Sequence, residues 1–341
     1  MASQQDVARM ANVSLMTVSR VVNGDPKVKP ATRERVQQAI EILNYYPNAA
    51  ARALNSRKTM TVGLMLPKID YVLSEPYFSQ LIYNIEKSLS PRNYDLLIGT
   101  AEHQNGRDLT LLYKQKKVDG LVIIGSQIND PRLQALSDNC IPAVLIHARS
   151  ELPCLSYVDV DNFKIIEYFV DYLCSLGHRR IGFIAGDLSV VNASHRLVGY
   201  KQSLSTRSIL VEDQLLFNGD WSSHSGYEAF LYFKSLSNPP TAVIASNDHM
   251  AIGFLKAAYE HNVDIPRDLS LVGIDDIEMA SFTTPKITTM RQPMHDIASL
   301  AVDALIDSIN SETPRESRVI LDAEVVLRDS CGLCAGSGPA S

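Results

Sequence analysis

Residues 5–23 read QDVARMANVSLMTVSRVVN. This stretch predicts two short helices joined by a tight turn, because Val7, Ala8 and Ala11 recur at the spacing of one helix face. Asn12 tolerates the left-handed backbone of a turn, and Ser14 is a residue type that caps helix N-termini. The pattern is typical of a helix-turn-helix, a unit whose second helix enters the major groove of DNA.

The second helix divides its side chains between two faces. Val18, Val21 and Val22 point inward at helical spacing. The side chains near its N-terminal end point outward, and that end usually meets the base edges of DNA. We therefore predict DNA contacts from Ser14, Leu15, Met16, Thr17, Ser19 and Arg20. An amphipathic helical hairpin without a nucleic-acid role is the alternative interpretation of this segment.

Charge is distributed unevenly along the chain. Residues 1–60 carry nine basic and four acidic side chains, a net charge of +5. The whole chain has a formal net charge of −6, so the remainder carries −11. A basic head on an acidic body is the layout expected of a DNA reader attached to a sensor, which weakens the hairpin alternative.

A third amphipathic helix over residues 32–43 and an alanine-rich segment over residues 44–54 follow the helix pair. Together these segments carry D-V-A…V-S…T-V-S-R-V-x-N, then T-R-x-x-V, then L-N-Y-x-P-N…A-x-x-L. With nearly every fixed position of that signature, the chain resembles the lactose-repressor (LacI/GalR) family. The resemblance runs in order from about residue 3 to residue 330.

The resemblance implies that the alanine-rich segment is a hinge helix that folds on the operator. In the family this helix enters the minor groove beside its dimer mate and wedges a leucine between base pairs, a general way to kink DNA. Leu54 matches that leucine, and Asn23, Asn48 and Ala51 are further DNA contacts implied by the resemblance. A plain alanine-rich connector is the alternative.

Leu15 and Met16 match the two variable positions at the start of the family's recognition helix. Both are apolar, so they cannot make the bidentate hydrogen bonds that read guanine or adenine. We expect them to pack on thymine methyl groups, with Arg20 supplying the polar contact.

The body has a different pattern, in which short apolar runs alternate with amphipathic helical stretches. The runs include residues 62–66, 96–98, 121–124, 143–146, 181–184, 242–245 and 271–274, and the helical stretches include residues 78–89, 163–176 and 249–261. Buried strands that alternate with helices indicate doubly wound parallel α/β sheets. A body of about 270 residues exceeds a comfortable single core, so we expect two lobes.

The resemblance implies a body like the periplasmic sugar-binding proteins, with three chain crossings between the lobes and a ligand in the cleft. We expect the crossings near residues 161–163, 290–293 and 320–323. The predicted units are a helix-turn-helix head (1–45), a hinge helix and linker (46–59), an effector-binding and dimerisation domain (60–330) and a flexible tail (331–341). Lobe 1 comprises residues 60–160 and 291–320 in this prediction, and lobe 2 comprises residues 161–290 and 321–330.

Ligand contacts are expected at strand ends, because doubly wound sheets bind ligands at the C-terminal ends of their strands. Asn247 follows one predicted strand and Asp275 follows another. Arg196 matches the family's ligand-gripping arginine. An arginine opposite a carboxylate suits vicinal hydroxyl groups, because one donates hydrogen bonds and the other accepts them. A structural salt bridge is the alternative for this pair.

Aromatic and amide side chains complete the predicted effector site. Trp221, the only tryptophan, lies in a segment similar to the family's and offers an indole face to a sugar ring. Tyr77, Phe78 and Gln292 match family segments that reach the ligand. Core packing is the alternative for the three aromatic residues. The predicted effector is a small carbohydrate, and a nucleobase or nucleoside is the alternative because the family also has members that respond to these.

Other chemistries lack their residue patterns. The sequence has no Walker loop, no G-x-G-x-x-G after a strand and no histidines at metal-ligand spacing, so neither a cofactor nor a metal site is predicted. Asp248-His249 has no evident nucleophile nearby, which argues against an enzyme. His103 and Asn105 are further polar candidates, although a surface loop explains both.

The cysteines and the termini bear on the compartment. Cys140, Cys154 and Cys174 lie in or beside apolar runs and are predicted to be buried thiols. Cys331 and Cys334 fall in the predicted flexible tail. Without a recognisable signal peptide or transmembrane run, we expect a cytoplasmic protein associated with the nucleoid through DNA rather than an exported, stand-alone sugar-binding protein.

The predicted function is that of a ligand-responsive repressor. A homodimer would hold two heads over a pseudo-palindromic operator. Closure of the cleft on the effector would separate the hinge helices and withdraw Leu54 from the minor groove. No leucine heptad follows residue 330, so a dimer is expected rather than a tetramer.

Overall fold

The computed structural model describes residues 2–22, 25–45, 58–67, 75–100, 110–313 and 315–334. In the head the helices are α1 (Gln4–Met10), α2 (Leu15–Val22) and α3 (Pro30–Ile42). In the body they are α4 (Pro76–Leu89), α5 (Thr110–Lys114), α6 (Pro131–Asp138), α7 (Asn162–Ser175), α8 (Val191–Thr206), α9 (Ser223–Ser235), α10 (Asp248–Glu260) and α11 (Met294–Asn310). The strands are β1 (Thr61–Leu66), β2 (Asp95–Thr100), β3 (Gly120–Ile124), β4 (Ala143–Ile146), β5 (Leu155–Val160), β6 (Ile181–Ala185), β7 (Leu216–Asn218), β8 (Ala242–Ala245), β9 (Ser270–Val272), β10 (Thr289–Arg291), β11 (Arg318–Leu321) and β12 (Glu324–Val326).

The head is the predicted helix-turn-helix, closed by α3. Ser3 and Asp6 form a capping box at the start of α1, and the Thr17 backbone N–H donates to Ser14 Oγ at 3.1 Å to start α2. Asn12 adopts the left-handed backbone of the turn, with φ of 50°. The apolar sides of the three helices meet in one small core: Val7, Ala8, Ala11, Val18, Val21, Val36 and Ala39.

The body consists of two parallel sheets flanked by helices. The sheet of lobe 1 has the strand order β11-β5-β4-β3-β1-β2, and that of lobe 2 has the order β7-β6-β8-β9. All neighbouring strands in both sheets run parallel. Central strands such as β3 and β4 are buried along their whole length, as expected for a sheet covered on both faces. The predicted α/β fold class is confirmed.

The chain passes between the lobes at three places. It leaves the sheet of lobe 1 after β5, returns between β10 and α11, and leaves again after β11. At the last two places β10 and β12 pair antiparallel to each other, apart from the two large sheets. The three chain crossings therefore lie beside the cleft that separates the lobes.

Two cysteine predictions are wrong. Cys140 and Cys154 form a disulfide with a Cα–Cα distance of 5.3 Å, instead of being buried thiols. The reason is that β4 and β5 are neighbouring parallel strands, so the residues just before each strand meet at one edge of the sheet. Cys174 is a free, half-buried cysteine at the end of α7.

The prediction of a flexible tail is wrong for residues 331–334. The Cys334 N–H donates to the Leu176 carbonyl at 2.8 Å, and the Gly332 N–H donates to Ser270 Oγ at 3.0 Å. His178 Nε2 lies 3.1 Å from the Gly332 carbonyl oxygen, and burial lowers the pKa of this histidine. These partners attach the segment to lobe 2. Residues 335–341 lie outside the described residues.

Within the ranges given above, no helix has the length and apolar character needed to cross a lipid bilayer.

Candidate ligand cleft and nucleic-acid interface

The outer face of α2 presents apolar side chains at its N-terminal end. Leu15 is 44% exposed and Met16 is 66% exposed, and the two are neighbours at the start of the helix. Thr17 and Ser19 are half-buried, and Arg20 is exposed with its Nε 3.7 Å from Asp25 Oδ2. The face therefore offers apolar contact with one cation beside it.

A concave basic surface lies next to this face. Arg20, Lys27, Lys29 and Arg35 line it together with hydroxyl groups of Ser14, Thr17 and Thr32. Cations and hydroxyl groups of this kind contact DNA phosphates and fix the register of a protein on the duplex. The other predicted DNA contacts, Asn23, Asn48, Ala51 and Leu54, lie outside the described residues, as do His103 and Asn105.

The cleft between the lobes forms a cavity of about 1080 Å³. It lies at the C-terminal ends of strands from both sheets, where doubly wound folds bind ligands. All seven residues predicted to bind the effector line it: Tyr77, Phe78, Arg196, Trp221, Asn247, Asp275 and Gln292. The structure thus brings together side chains that are up to 215 positions apart in the sequence, between Tyr77 and Gln292.

Arg196, on α8, is held rigidly although it lines the cavity. Its Nε donates to Asn162 Oδ1 at 2.7 Å, and its Nη1 donates to the Ser246 carbonyl oxygen. Only 2% of the residue is exposed. Two hydrogen bonds and burial thus fix the orientation of the guanidinium before a ligand arrives. Little side-chain entropy is then lost when it binds a ligand.

Trp221 forms a flat wall in lobe 2. Its ring lies directly on the backbone of Gly186, where an added Cβ would come within 2.2 Å of the indole. Trp221 has φ of 74°, and its carbonyl oxygen accepts a hydrogen bond from Asn247 Nδ2 at 2.9 Å. The Arg196 guanidinium lies 5.8 Å from the centre of the ring. The glycine is therefore required for the indole to lie in this position.

Asp275 places a carboxyl group at the base of the cleft. Its φ of 123° lies in a region that favours glycine, a kind of backbone strain found at functional sites. Burial raises the pKa of Asp275 to about 8, although Arg196 and the hydrogen bond from Gln292 Nε2 (2.6 Å) oppose the rise. Gln292 Oε1 is itself buried without a hydrogen-bond partner among the described residues. A ligand hydroxyl would satisfy both groups.

Lobe 1 contributes a polar network that the sequence analysis did not identify. The Tyr77 hydroxyl hydrogen-bonds to His147 Nε2, and His147 Nδ1 lies 3.8 Å from Asp159 Oδ1. Burial opposes ionisation of Asp159, but His147 and Arg149 outweigh it and lower the pKa of Asp159. Burial also raises the pKa of Tyr77. His147 directly follows β4, so the strand-end rule was the signal that could have found it.

Contacts across the cleft join the two lobes. His249 Nδ1, at the start of α10, lies 2.9 Å from Glu75 Oε2 of lobe 1. The Ile128 N–H donates to the Ser189 carbonyl at 2.8 Å. Further cavity-lining residues that the sequence analysis missed are Gln127, Arg132, Asp187, Asn192 and Asp220. Arg132 and Asn192 lie in the first turns of α6 and α8, the other three lie in loops, and no local pattern distinguishes any of them.

Carboxyl groups outnumber cations in the lining of the cleft. Its carboxyl groups belong to Glu75, Asp187, Asp220 and Asp275, and its cations to Arg132 and Arg196, with two histidines beside them. Such a lining disfavours an anionic ligand and offers hydrogen-bonding groups to a neutral one. The described part of the chain offers no group of three or more His, Cys, Asp or Glu side chains suited to a metal ion.

Two family models match the chain. The model of the bacterial regulatory proteins of the lacI family matches residues 4–48, and that of the periplasmic binding protein-like domain matches residues 170–331. Catabolite control protein A of Priestia megaterium is 33% identical over 95% of this chain and 98% of its own length. The ribose operon repressor of Escherichia coli (strain K12) is also 33% identical, over 97% of this chain and 100% of its own.

Solved structures agree with these relatives. The lac repressor dimer bound to operator and the anti-inducer ONPF has a TM-score of 0.84 at 28% identity, over 96% of this chain and 98% of that one. The complex of the transcriptional regulator CelR with cellobiose has a TM-score of 0.74 at 30% identity, over 97% of this chain and 100% of that one.

Proposed function

The chain belongs to the LacI family of bacterial regulatory proteins, and on that premise we propose that its effector is a small carbohydrate bound in the interlobe cleft. The protein is a ligand-responsive, DNA-binding transcriptional repressor and not an enzyme. The carbohydrate assignment rests on one observation above the others, which is that Arg196, Asp275 and Trp221 line the same cavity.

Each of these three residues supplies one part of sugar recognition. The Arg196 guanidinium donates hydrogen bonds to ring hydroxyls, and the Asp275 carboxyl group accepts them. The indole of Trp221 offers an apolar face for the C–H side of a pyranose. A cavity of about 1080 Å³ has room for a disaccharide as well as a monosaccharide. Cellobiose in the CelR complex and the name of the ribose operon repressor support the same ligand class.

We propose that DNA contact comes from the N-terminal end of α2, the basic surface beside it and the segment that includes Leu54. The repressor binds operator DNA as a dimer, so two heads read the two halves of a pseudo-palindrome. DNA binding would keep the protein at the bacterial nucleoid, in the cytoplasm.

Thermal-shift screening of the full chain against sugars and nucleosides tests the effector assignment. We expect a rise in melting temperature with at least one mono- or disaccharide, because a ligand that binds only the folded state stabilises it. Arg196→Ala and Asp275→Ala should abolish this rise. A nucleoside hit without any sugar hit would overturn the carbohydrate assignment.

Arg207→Ala is the matched control for Arg196→Ala. Arg207 follows the end of α8 and pairs with Asp171 outside the cleft, so its loss removes an arginine without touching the cavity. The sugar-dependent shift should survive in this variant.

A further inference from the structure

Helix α11 begins beside the ligand cleft. Gln292 lies two residues before it, and its Nε2 donates to Asp275 Oδ1 at 2.6 Å. Its Oε1 is buried and has no hydrogen-bond partner in the described part of the chain. Gln292 also lines the cavity. A ligand in the cleft can therefore contact Gln292 directly or take the place of its partner Asp275. In both cases it acts on the residue that leads into α11.

The helix is packed against lobe 1 along its length. Ile297, Ala301 and Leu305 are fully buried on its inner face. On its outer side Asp303 forms an ion pair with Arg92. A helix of 17 residues is about 25 Å long, and a packed helix of this length moves as one body.

The far end of α11 meets the start of β3. A Cβ added to Gly120 would lie 2.9 Å from Leu305 Cδ1 and 3.0 Å from Ile309 Cδ1. Side chains from the last two turns of the helix therefore lie directly on the backbone at Gly120. A shift of this part of the helix would displace Gly120 and, with it, Asp119, which directly precedes Gly120 in the chain.

Asp119 and Asn310 hold the segment through which the head is attached to the body. Asp119 accepts hydrogen bonds from the Thr59 N–H at 2.7 Å, from Thr59 Oγ1 at 2.9 Å and from the Met60 N–H at 2.9 Å. Lys58 Nζ donates to Asn310 Oδ1 on the last residue of α11. We call residues 58–60, Asp119 and Asn310 the linker anchor.

We propose that α11 couples the cleft to the linker anchor, with Asp119 and Asn310 as positioning residues for the DNA-binding head. A change at Gln292 shifts α11 along lobe 1, and its last turn moves the anchor that holds residues 58–60. The physical basis is a contiguous chain of packed contacts between the two sites. The direction of control rests on the proposed function, because it requires that the cleft binds the effector.

The single tryptophan makes this coupling measurable without a known effector. Trp221 lines the cleft, so its emission reports the state of the cleft. Coupling between two sites is reciprocal, so we expect DNA bound by the head to alter the cleft and with it the emission of Trp221. The probe is a duplex that the wild-type full chain has selected from a randomised pool.

We expect Asp119→Ala and Asn310→Ala to reduce the duplex-induced emission change by about threefold or more. Asn310→Asp keeps an acceptor for Lys58 and should retain the change. Asn139→Ala is the matched control, because Asn139 is an exposed asparagine at the end of α6 and touches neither site. Duplex affinity and melting temperature, measured in parallel, separate lost coupling from lost folding.

Three results would overturn the proposal. These are the absence of any emission change in the wild-type protein, an unchanged response in Asn310→Ala, and an equal loss of response in Asn139→Ala. If Asp119→Ala does not fold, the exposed Asn310 variants still decide the question. A full chain that selects no duplex would overturn the assignment as a DNA reader, and the coupling proposal would fall with it.

Discussion

At the base of the cleft, burial makes ionisation of the Asp275 carboxyl group unfavourable. Its folded pKa of about 8 exceeds the ordinary value of 3.8, so the folded protein holds a proton that the unfolded chain releases between these two pH values. Its contribution to stability is complete below about pH 4 and is lost as the pH rises through 8. Both forms of the group can accept a hydrogen bond from a sugar hydroxyl, and the protonated form can also donate one.

Asp275→Asn removes this titration. The free energy of unfolding of the variant should exceed that of the wild type by an amount that grows from pH 4 to pH 8, by at most about 1.4 kcal/mol per pH unit. Urea unfolding followed by circular dichroism at several pH values measures the difference. Parallel pH profiles for the two proteins would contradict the prediction, and Asp138→Asn, at an exposed position on α6, serves as the control.

Met16→Gln should change which operators the protein prefers. Glutamine makes the bidentate contact with adenine that methionine lacks, and such a contact is worth about 1–3 kcal/mol of discrimination. Phosphate contacts are untouched, so non-specific binding should persist. Selection from a randomised duplex library at one salt concentration measures the preference. Met10→Gln, on an exposed methionine of α1, should leave it unchanged; equal preferences in all three proteins would refute the prediction.

At the scale of elements, the start of α2 depends on one hydroxyl group. Ser14→Ala removes the acceptor for the Thr17 N–H and should cost about 1 kcal/mol of helix stability. The first turn would fray, and operator affinity would fall with it. Amide hydrogen exchange in α2 and operator titration measure the two effects. Ser3→Ala removes the cap of α1 instead. It should destabilise the head similarly with a smaller loss of affinity, and the reverse order would contradict this prediction.

The elements predicted best were those whose pattern is local. Cap, turn and apolar period all lie within residues 3–22, so α1 and α2 could be predicted without tertiary information. β5 was missed because polar residues such as Ser156 and Asp159 interrupt its apolar run, and they are buried only because other elements cover them. β10 and β12 are three residues each and exist through their pairing with each other. Such pairing over long distances has no local signature.

The same distinction applies to the cleft. Asn247 and Asp275 could be predicted because they follow apolar runs, and Arg196 because it matches a family position. The Glu75–His249 contact joins two lobes, and the link between His147 and Asp159 depends on neighbouring strands. Neither pairing could be derived from the sequence, because it depends on how far the lobes and strands lie from each other.

At the scale of the whole molecule, lobe 1 has an apolar edge available to a second copy. β2 is an edge strand in which Leu97 and Ile98 are 41% and 42% exposed, and Tyr83 on α4 is 61% exposed. We predict that Leu97→Asp converts the dimer to a monomer, which sedimentation velocity detects. Operator affinity should fall about 100-fold, because one head then binds alone.

Leu210→Asp is the control for this dimer prediction, since Leu210 is 78% exposed in a loop of lobe 2. It should leave both the mass and the operator affinity unchanged. A Leu97→Asp variant that remains dimeric would show that the interface lies elsewhere.

The position of β11 has a consequence for biosynthesis. The sheet of lobe 1 needs this strand beside β5, yet about 160 residues, including all of the sheet of lobe 2, separate the two in the chain. At typical ribosomal rates, roughly 10–30 s pass between their emergence, during which β5 has a bare edge. The DNA-reading head is translated first, whereas lobe 1 is finished nearly last. A nascent chain thus has its DNA-binding head before it has a complete effector-binding body. The head can come under effector control only after β11 has been translated.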